Sequence, residues 1–344
     1  MARDTWPALL NHLVDGGDLT TDDTSWAMNE IMSGNATSAQ IAGFAVALHA
    51  KGETADEVAG LAGGMLAHAS RVSVPRRAVD VVGTGGDRSG SVNISTMSAI
   101  VVAASGVPVV KHGNRSASSK AGTADVLEAL GVVIGLDAEG VQRCVQELGI
   151  GFCFAPVYHP AFRHAGGPRR ELGIPTAFNV LGPLTNPAQP VAGLVGCAFP
   201  KLAPVVAEVF AQRDASVLVV RGDDGLDEIT TSTTSSVWVV TGGTVRKDSV
   251  NPTDLDIKPA RPEDLRGGDA TENADVVRRV MAGELGPVRD AVLLNAAGAV
   301  AAYRGLTDDL TNDISIGLQQ VAQAVDSGAA AELLTRWAQF SQSL

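Results

Sequence analysis

The run Val79-Asp80-Val81-Val82 is cut by Gly83-Thr84-Gly85-Gly86-Asp87, and this break constrains the chain more than any other feature. The mostly apolar run fits a buried strand, and glycines permit backbone angles and close approaches that a Cβ would block. Asn93 or a neighbour can cap a following helix that runs to about Ser105. Gly106 ends it, and Pro108-Val109-Val110 opens a second strand leading into Lys111-His112-Gly113-Asn114-Arg115. A strand, a glycine loop and a helix start together bring free N–H groups and the positive end of a helix dipole to one point. Lys111 and Arg115 add full charge, so the stretch reads as a cradle for a substrate with several phosphates. It is neither a P-loop, since no Lys-Ser/Thr pair closes it, nor a dinucleotide fingerprint.

The rest of the chain fits around that unit. Its 344 residues suit two domains or one large one. The first seventy residues read as four helices, in which Thr37-x-x-Gln40 and Thr54-x-x-Glu57 have capping-box spacing. Their apolar stripes read as packing faces and can also supply a subunit interface. Residues 71–77 read as a linker or hinge. From Ala78 strands alternate with helices, the signature of an α/β domain with a mostly parallel sheet. Helices are expected at 123–130, 138–148 and 202–212. Strands are expected at 132–136, 152–154, 192–198 and 216–220, with a hairpin around Gly242-Gly243 and helices from about Asn273. Residues 156–190, with seven prolines, break the alternation. Their short helical pieces are expected to pack back on the N-terminal helices, making the cleft between the lobes the natural site.

Charge narrows the choice of ligand. The net charge of −12 argues against a general nucleic-acid or anionic-membrane binder, which makes a local cluster of Lys and Arg more telling. Cys144, Cys153 and Cys197 cannot all pair within one chain and form no CxxC, so reduced, buried thiols in a cytoplasmic protein are expected. The first fifteen residues hold no long apolar core, so no signal peptide is expected, and no apolar run is long enough to span a membrane.

Asp227-Glu228 follows a predicted strand, where α/β proteins place ligands. The pair fits Mg²⁺, which takes one or two carboxylates together with substrate phosphates; it equally fits a solvated acidic turn. Arg163, Arg169 and Arg170 fit either forked binding of a carboxylate or an exposed basic helix face. His112 can position phosphate or substrate, whereas His159, beside Pro160, reads as structural. With no nucleophile elbow and no Cys–His pair, covalent catalysis is not indicated, and no residue is singled out as catalytic.

The segments GTGGD (83–87), NIST (93–96), KHGNR (111–115), RREL (169–172), FNVLGPLTNPA (178–188) and DGLDE (224–228) resemble the anthranilate phosphoribosyltransferase family, in order over most of the chain. The resemblance implies a small all-helical domain, residues 1–70 with 156–190 crossing back. It implies a larger α/β domain, residues 78–344, with a central mostly parallel sheet flanked by helices, of the nucleoside-phosphorylase-like type. It implies a homodimer through the helical domain, and transfer of a phosphoribosyl group from phosphoribosyl pyrophosphate (PRPP) to anthranilate with Mg²⁺, in tryptophan biosynthesis. By matching position, PRPP would be held by Gly83, Gly86, Asp87, Ser91, Asn93, Ile94, Ser95, Thr96, Lys111, His112, Gly113, Asn114, Arg115, Ser116, Ala117, Ser118, Ser119 and Thr123. Gly83, Asn114 and Arg169 would contact anthranilate; Ser95, Asp227 and Glu228 would serve Mg²⁺.

The sequence departs from the family pattern at Arg88, Ser91 and Thr123, and at Gly166-Gly167-Pro168 before Arg169. Each glycine inside a helix costs roughly 1 kcal/mol against Ala, so a frayed or broken helix is expected there, leaving Arg169 loosely placed until substrate binds. The rival readings are a pyrimidine-nucleoside phosphorylase of the same fold and a non-catalytic relative that binds nucleotide or nucleic acid. The RREL and NIST segments oppose the first; the negative charge and the Asp227-Glu228 pair oppose the second.

Overall fold

The computed structural model describes residues 4–74, 77–116 and 120–344. Helices α1 (Trp6–Val14), α2 (Thr21–Met32), α3 (Ser38–Lys51) and α4 (Ala55–Ala67) form the N-terminal lobe. Both anticipated capping boxes are present, and Thr20 with Asp23 adds a third. The buried Glu57 does more than cap: it accepts from the Leu19 N–H at 2.8 Å and pairs with Lys51 at 3.0 Å, tying the loop before α2 and the end of α3 to α4.

The second lobe contains β1 (Val79–Gly83), α5 (Ile94–Ala104), β2 (Val109–Gly113), α6 (Thr123–Ala129), α7 (Ala138–Leu148) and β3 (Ile150–Phe154). The crossing segment carries α8 (Ala155–Tyr158), α9 (Arg163–Leu172) and α10 (Leu181–Leu184). Then come β4 (Ala192–Gly196), α11 (Ala203–Gln212), β5 (Ser216–Gly222), β6 (Ser235–Thr241) and β7 (Thr244–Val250). Helices α12 (Ala270–Met281), α13 (Pro287–Arg304), α14 (Leu310–Asp326) and α15 (Ala329–Ser341) close the chain.

The seven strands are ordered β3-β2-β1-β4-β5-β6-β7. All pairs from β3 to β5 are parallel, and β5-β6-β7 are antiparallel. Side chains alternate between the faces. Val79, Val81, Leu194, Leu218 and Val220 pack under the helices of the C-terminal half, in one core with α5. Val82, Val195, Val217 and Val219 face the other way, into a core shared by α11 and the N-terminal lobe. Ala165, Ala177 and Phe178 of residues 156–190 belong to that second core. Strand β7, at the sheet edge, reads TVRKDSV and is largely solvent-facing.

Two expectations fail. Residues 132–136 are not a strand. Their burial alternates, with Val132 and Ile134 inside and Val133 38% exposed, but among the described residues no strand pairs with them. The Val133 N–H donates instead to Ser341 Oγ of α15, at 3.0 Å. The helix before Arg169 is not broken either: α9 runs unbroken from Arg163 to Leu172 with Pro168 inside it. Packing overrides propensity. Ala165 is fully buried, and Gly173 takes a left-handed C-cap whose N–H bonds to the Arg169 carbonyl.

Candidate active site

Strands β1, β2 and β3 lie to one side, and β4 and β5 to the other, so the sheet changes direction between β1 and β4. Ligands of open α/β sheets bind beyond the carboxyl ends of the strands at such a point. Both strands end there in glycine, Gly83 and Gly196, which are register partners. A Cβ on Gly83 would overlap Asp227 Oδ2, and one on Gly196 would overlap the Asp227 carbonyl. The two glycines thus make room for the 223–228 loop to lie against the strand ends.

The glycine loop closes over this acid. The Gly85 N–H donates to Asp227 Oδ2 at 2.7 Å. Gly85, Gly86 and Gly90 have φ of 67°, 89° and 65°, the region that favours glycine. Arg88 shares it at 58°, at a cost of about 1–2 kcal/mol for a residue with a Cβ. Helix α5 starts at Ile94, but Asn93 does not cap it through its side chain. Its Ser95 backbone N–H faces Glu228, so the acidic pair meets both the loop and the helix start.

Burial and the neighbouring Asp87 push the Asp227 pKa up to about 7. Burial, then the charge of Asp227, raises Glu228 well above the usual carboxylate range. Carboxylates forced together out of water hold protons unless a cation sits between them. Among the described residues no group of three or more His, Cys, Asp and Glu side chains could hold a metal. The two acids instead fit a divalent ion shared with a ligand's phosphate oxygens.

Lys111 lies beneath. It is buried on the α5 face of the sheet and donates to the Val81 carbonyl and, at 3.2 Å, to Ser95 Oγ. Burial lowers its pKa, while Asp80, Glu228 and Asp227 oppose the shift. Strand alternation sends His112 to the opposite face. Its Nδ1–H donates to the Gly182 carbonyl at 3.0 Å, and its ring lies 5.3 Å from that of His159. The His112 imidazole is therefore turned from the glycine loop. On that same face Asp80 accepts from the His112 N–H at 3.2 Å and from Asn186 Nδ2 at 2.8 Å, and burial raises its pKa to about 6. A charged residue inside the run VDVVG is the sequence signal for this network.

Thr96 donates to Thr123 at 3.3 Å, linking α5 to α6. Asn114 is exposed, with Oδ1 accepting from the Arg115 N–H at 2.7 Å. Arg115 turns outward to Asp125 and Glu128, at 2.6 and 2.5 Å. Ala117, Ser118 and Ser119 lie outside the described residues.

Arg169 is held apart from this cluster. Its guanidinium lies 5.2 Å from the Phe162 ring centroid and 6.0 Å from that of Phe178. Among the described residues it makes no hydrogen bond or ion pair, and burial lowers its pKa. A caged, largely buried arginine without a carboxylate offers its fork to an incoming one. Arg163 and Arg170 are exposed.

These features define a two-domain glycosyl transferase. Residues 7–69 match the glycosyl transferase family helical bundle domain, and residues 75–331 match its a/b domain. An anthranilate phosphoribosyltransferase of Saccharopolyspora erythraea is 66% identical over 99% of this chain and 97% of its own length. The crystal structure of anthranilate phosphoribosyltransferase from Thermus thermophilus superposes with a TM-score of 0.89 at 40% identity, covering 97% of this chain and 99% of that one. The Saccharomyces cerevisiae enzyme in complex with PRPP and Mg also gives 0.89, at 25% identity, covering 100% of this chain and 99% of that one. The chain belongs to the anthranilate phosphoribosyltransferase family.

Proposed function

We propose that this chain transfers the phosphoribosyl group of PRPP to the amine of anthranilate, giving N-(5-phosphoribosyl)anthranilate and pyrophosphate. The observation that carries the reading is the buried acid pair packed on the glycine loop at the sheet's switch point. It is a cation-demanding centre beside a glycine loop and a helix start. In this reading the 83–96 loop and helix start, Lys111, the 113–119 segment with the His112 main chain, and Thr123 hold PRPP. Ser95, Asp227 and Glu228 hold Mg²⁺, which supplies charge neutralisation to the departing pyrophosphate. Arg169 takes the anthranilate carboxylate, and Gly83 and Asn114 contact the same substrate. The amine nitrogen bonds to the anomeric carbon, the bond from that carbon to pyrophosphate oxygen breaks, and the nitrogen gives up one proton. That amine is neutral at pH 7, so the site needs no strong base, and rate comes from positioning and charge stabilisation.

The reading places residues 71–77 as the hinge between the lobes and makes the protein a cytoplasmic homodimer through the helical lobe. Exposed Val14 and Val46, on α1 and α3, support such an interface. Three buried free cysteines are in keeping with a reducing compartment. Anthranilate fluorescence should fall only when PRPP and Mg²⁺ are both added. A steady signal under those conditions, or turnover of uridine with inorganic phosphate instead, overturns the assignment.

A further inference from the structure

Asn273, near the start of α12, belongs to none of the motifs above, and it is 2% exposed. Its Oδ1 accepts from the Gly268 N–H at 2.8 Å, and its Nδ2 donates to Asn93 Oδ1 at 2.8 Å. Asn93 Nδ2 in turn donates to the Ala121 carbonyl at 3.2 Å. The direction of this relay is fixed by its ends. A backbone N–H only donates and a backbone carbonyl only accepts, so both amides have one consistent orientation. The relay explains why Asn93 does not cap α5: its side chain is spent bridging two loops.

The surroundings are built for the contact. The Val92 N–H donates to the Leu265 carbonyl at 2.9 Å, and the Gly267 N–H to the Gly90 carbonyl at 2.8 Å. A Cβ on Gly267 would come within 2.9 Å of the Ser91 carbonyl and 3.0 Å of Asn273 Oδ1. The 265–268 segment thus lies directly behind the glycine loop, and Asn273 locks the two together.

We propose that Asn273 is a positioning residue for PRPP: it sets the Asn93 amide and, through it, the spacing between the 90–93 and 121–122 segments. The proposal rests on the reading that these loops hold PRPP. Asn273→Asp keeps the shape and the acceptor for Gly268 but replaces the donor facing Asn93 with an oxygen. Flipping the Asn93 amide only moves the clash to the Ala121 carbonyl.

Steady-state kinetics on the full chain test this. In Asn273→Asp, KM for PRPP should rise about tenfold, with kcat and KM for anthranilate within about twofold of wild type. Combining it with Asn93→Ala should do no more harm than the worse single change, because both cut one relay. An unchanged KM for PRPP, effects that multiply, or a loss shared equally by kcat and both KM values overturns the proposal. Should Asn273→Asp not fold, Asn273→Ser, which keeps an acceptor on the side chain but removes the amide donor, is read for the same split. A wild type inactive with PRPP and anthranilate overturns the functional reading itself, and this inference with it.

Discussion

The proposed function assigns anions to two places in this molecule, and the two are made differently. The cradle proposed beyond β1 would use main-chain N–H groups of a loop with glycine at fixed positions, which leaves a mark in the sequence. The Arg169 site uses one side chain, placed by α9 and held between Phe162 and Phe178. Its geometry depends on what α9 packs against, and residues 166–168 taken alone point the wrong way. Backbone recognition is written locally; side-chain recognition is written in the tertiary structure.

The largest effect separating the two should come from the acid pair. Asp227→Asn with Glu228→Gln should lower kcat by about a hundredfold or more and flatten the Mg²⁺ titration, since charge on the leaving group goes uncompensated. Unchanged rates across that titration would remove the metal from this pair. Next, Arg169→Lys should raise KM for anthranilate by roughly tenfold or more while leaving KM for PRPP alone, because an ammonium cannot reproduce the fork. If both KM values move together, the two sites are not separate.

A third test reads the segment that joins them. Burial lowers the pKa of His112 to about 3 and of His159 to about 4, against 6.5 unperturbed. Between those values the unfolded chain binds protons that the native chain refuses, so stability falls as pH drops below 6.5. Each imidazole contributes a slope of about 1.4 kcal/mol per pH unit. In urea unfolding from pH 6.5 down to 4.5, His159→Gln should lose one such contribution; an unchanged slope would mean that the ring takes up its proton in the native state. The smallest effect concerns α9. A Cβ on Gly166 or Gly167 meets nothing within 4 Å. Each change to Ala should therefore stabilise by about 1 kcal/mol if the helix is continuous. No gain in the urea midpoint would favour a frayed helix.

Legibility followed the same division. Capping boxes at Thr37 and Thr54, glycine stops and the strand–helix alternation located the elements because each is a local bargain between neighbouring residues. The segment 132–136 showed a strand's alternation, yet a strand also needs a partner, and the side chains of α15 took that role. Asp80 and Asn186, which meet on one face of the sheet, and Asn273, which reaches Asn93 from far along the chain, act over separations that no window of sequence spans.

The sheet's two ends also differ. Strand β3 is apolar and buried, whereas β7 ends the other side with Arg246, Lys247 and Asp248 in its middle. An edge strand is a template for pairing with another chain, and charges along it discourage that. The hairpin therefore acts as a terminator: it lets a seven-stranded sheet stop in water without recruiting a neighbour into an aggregate.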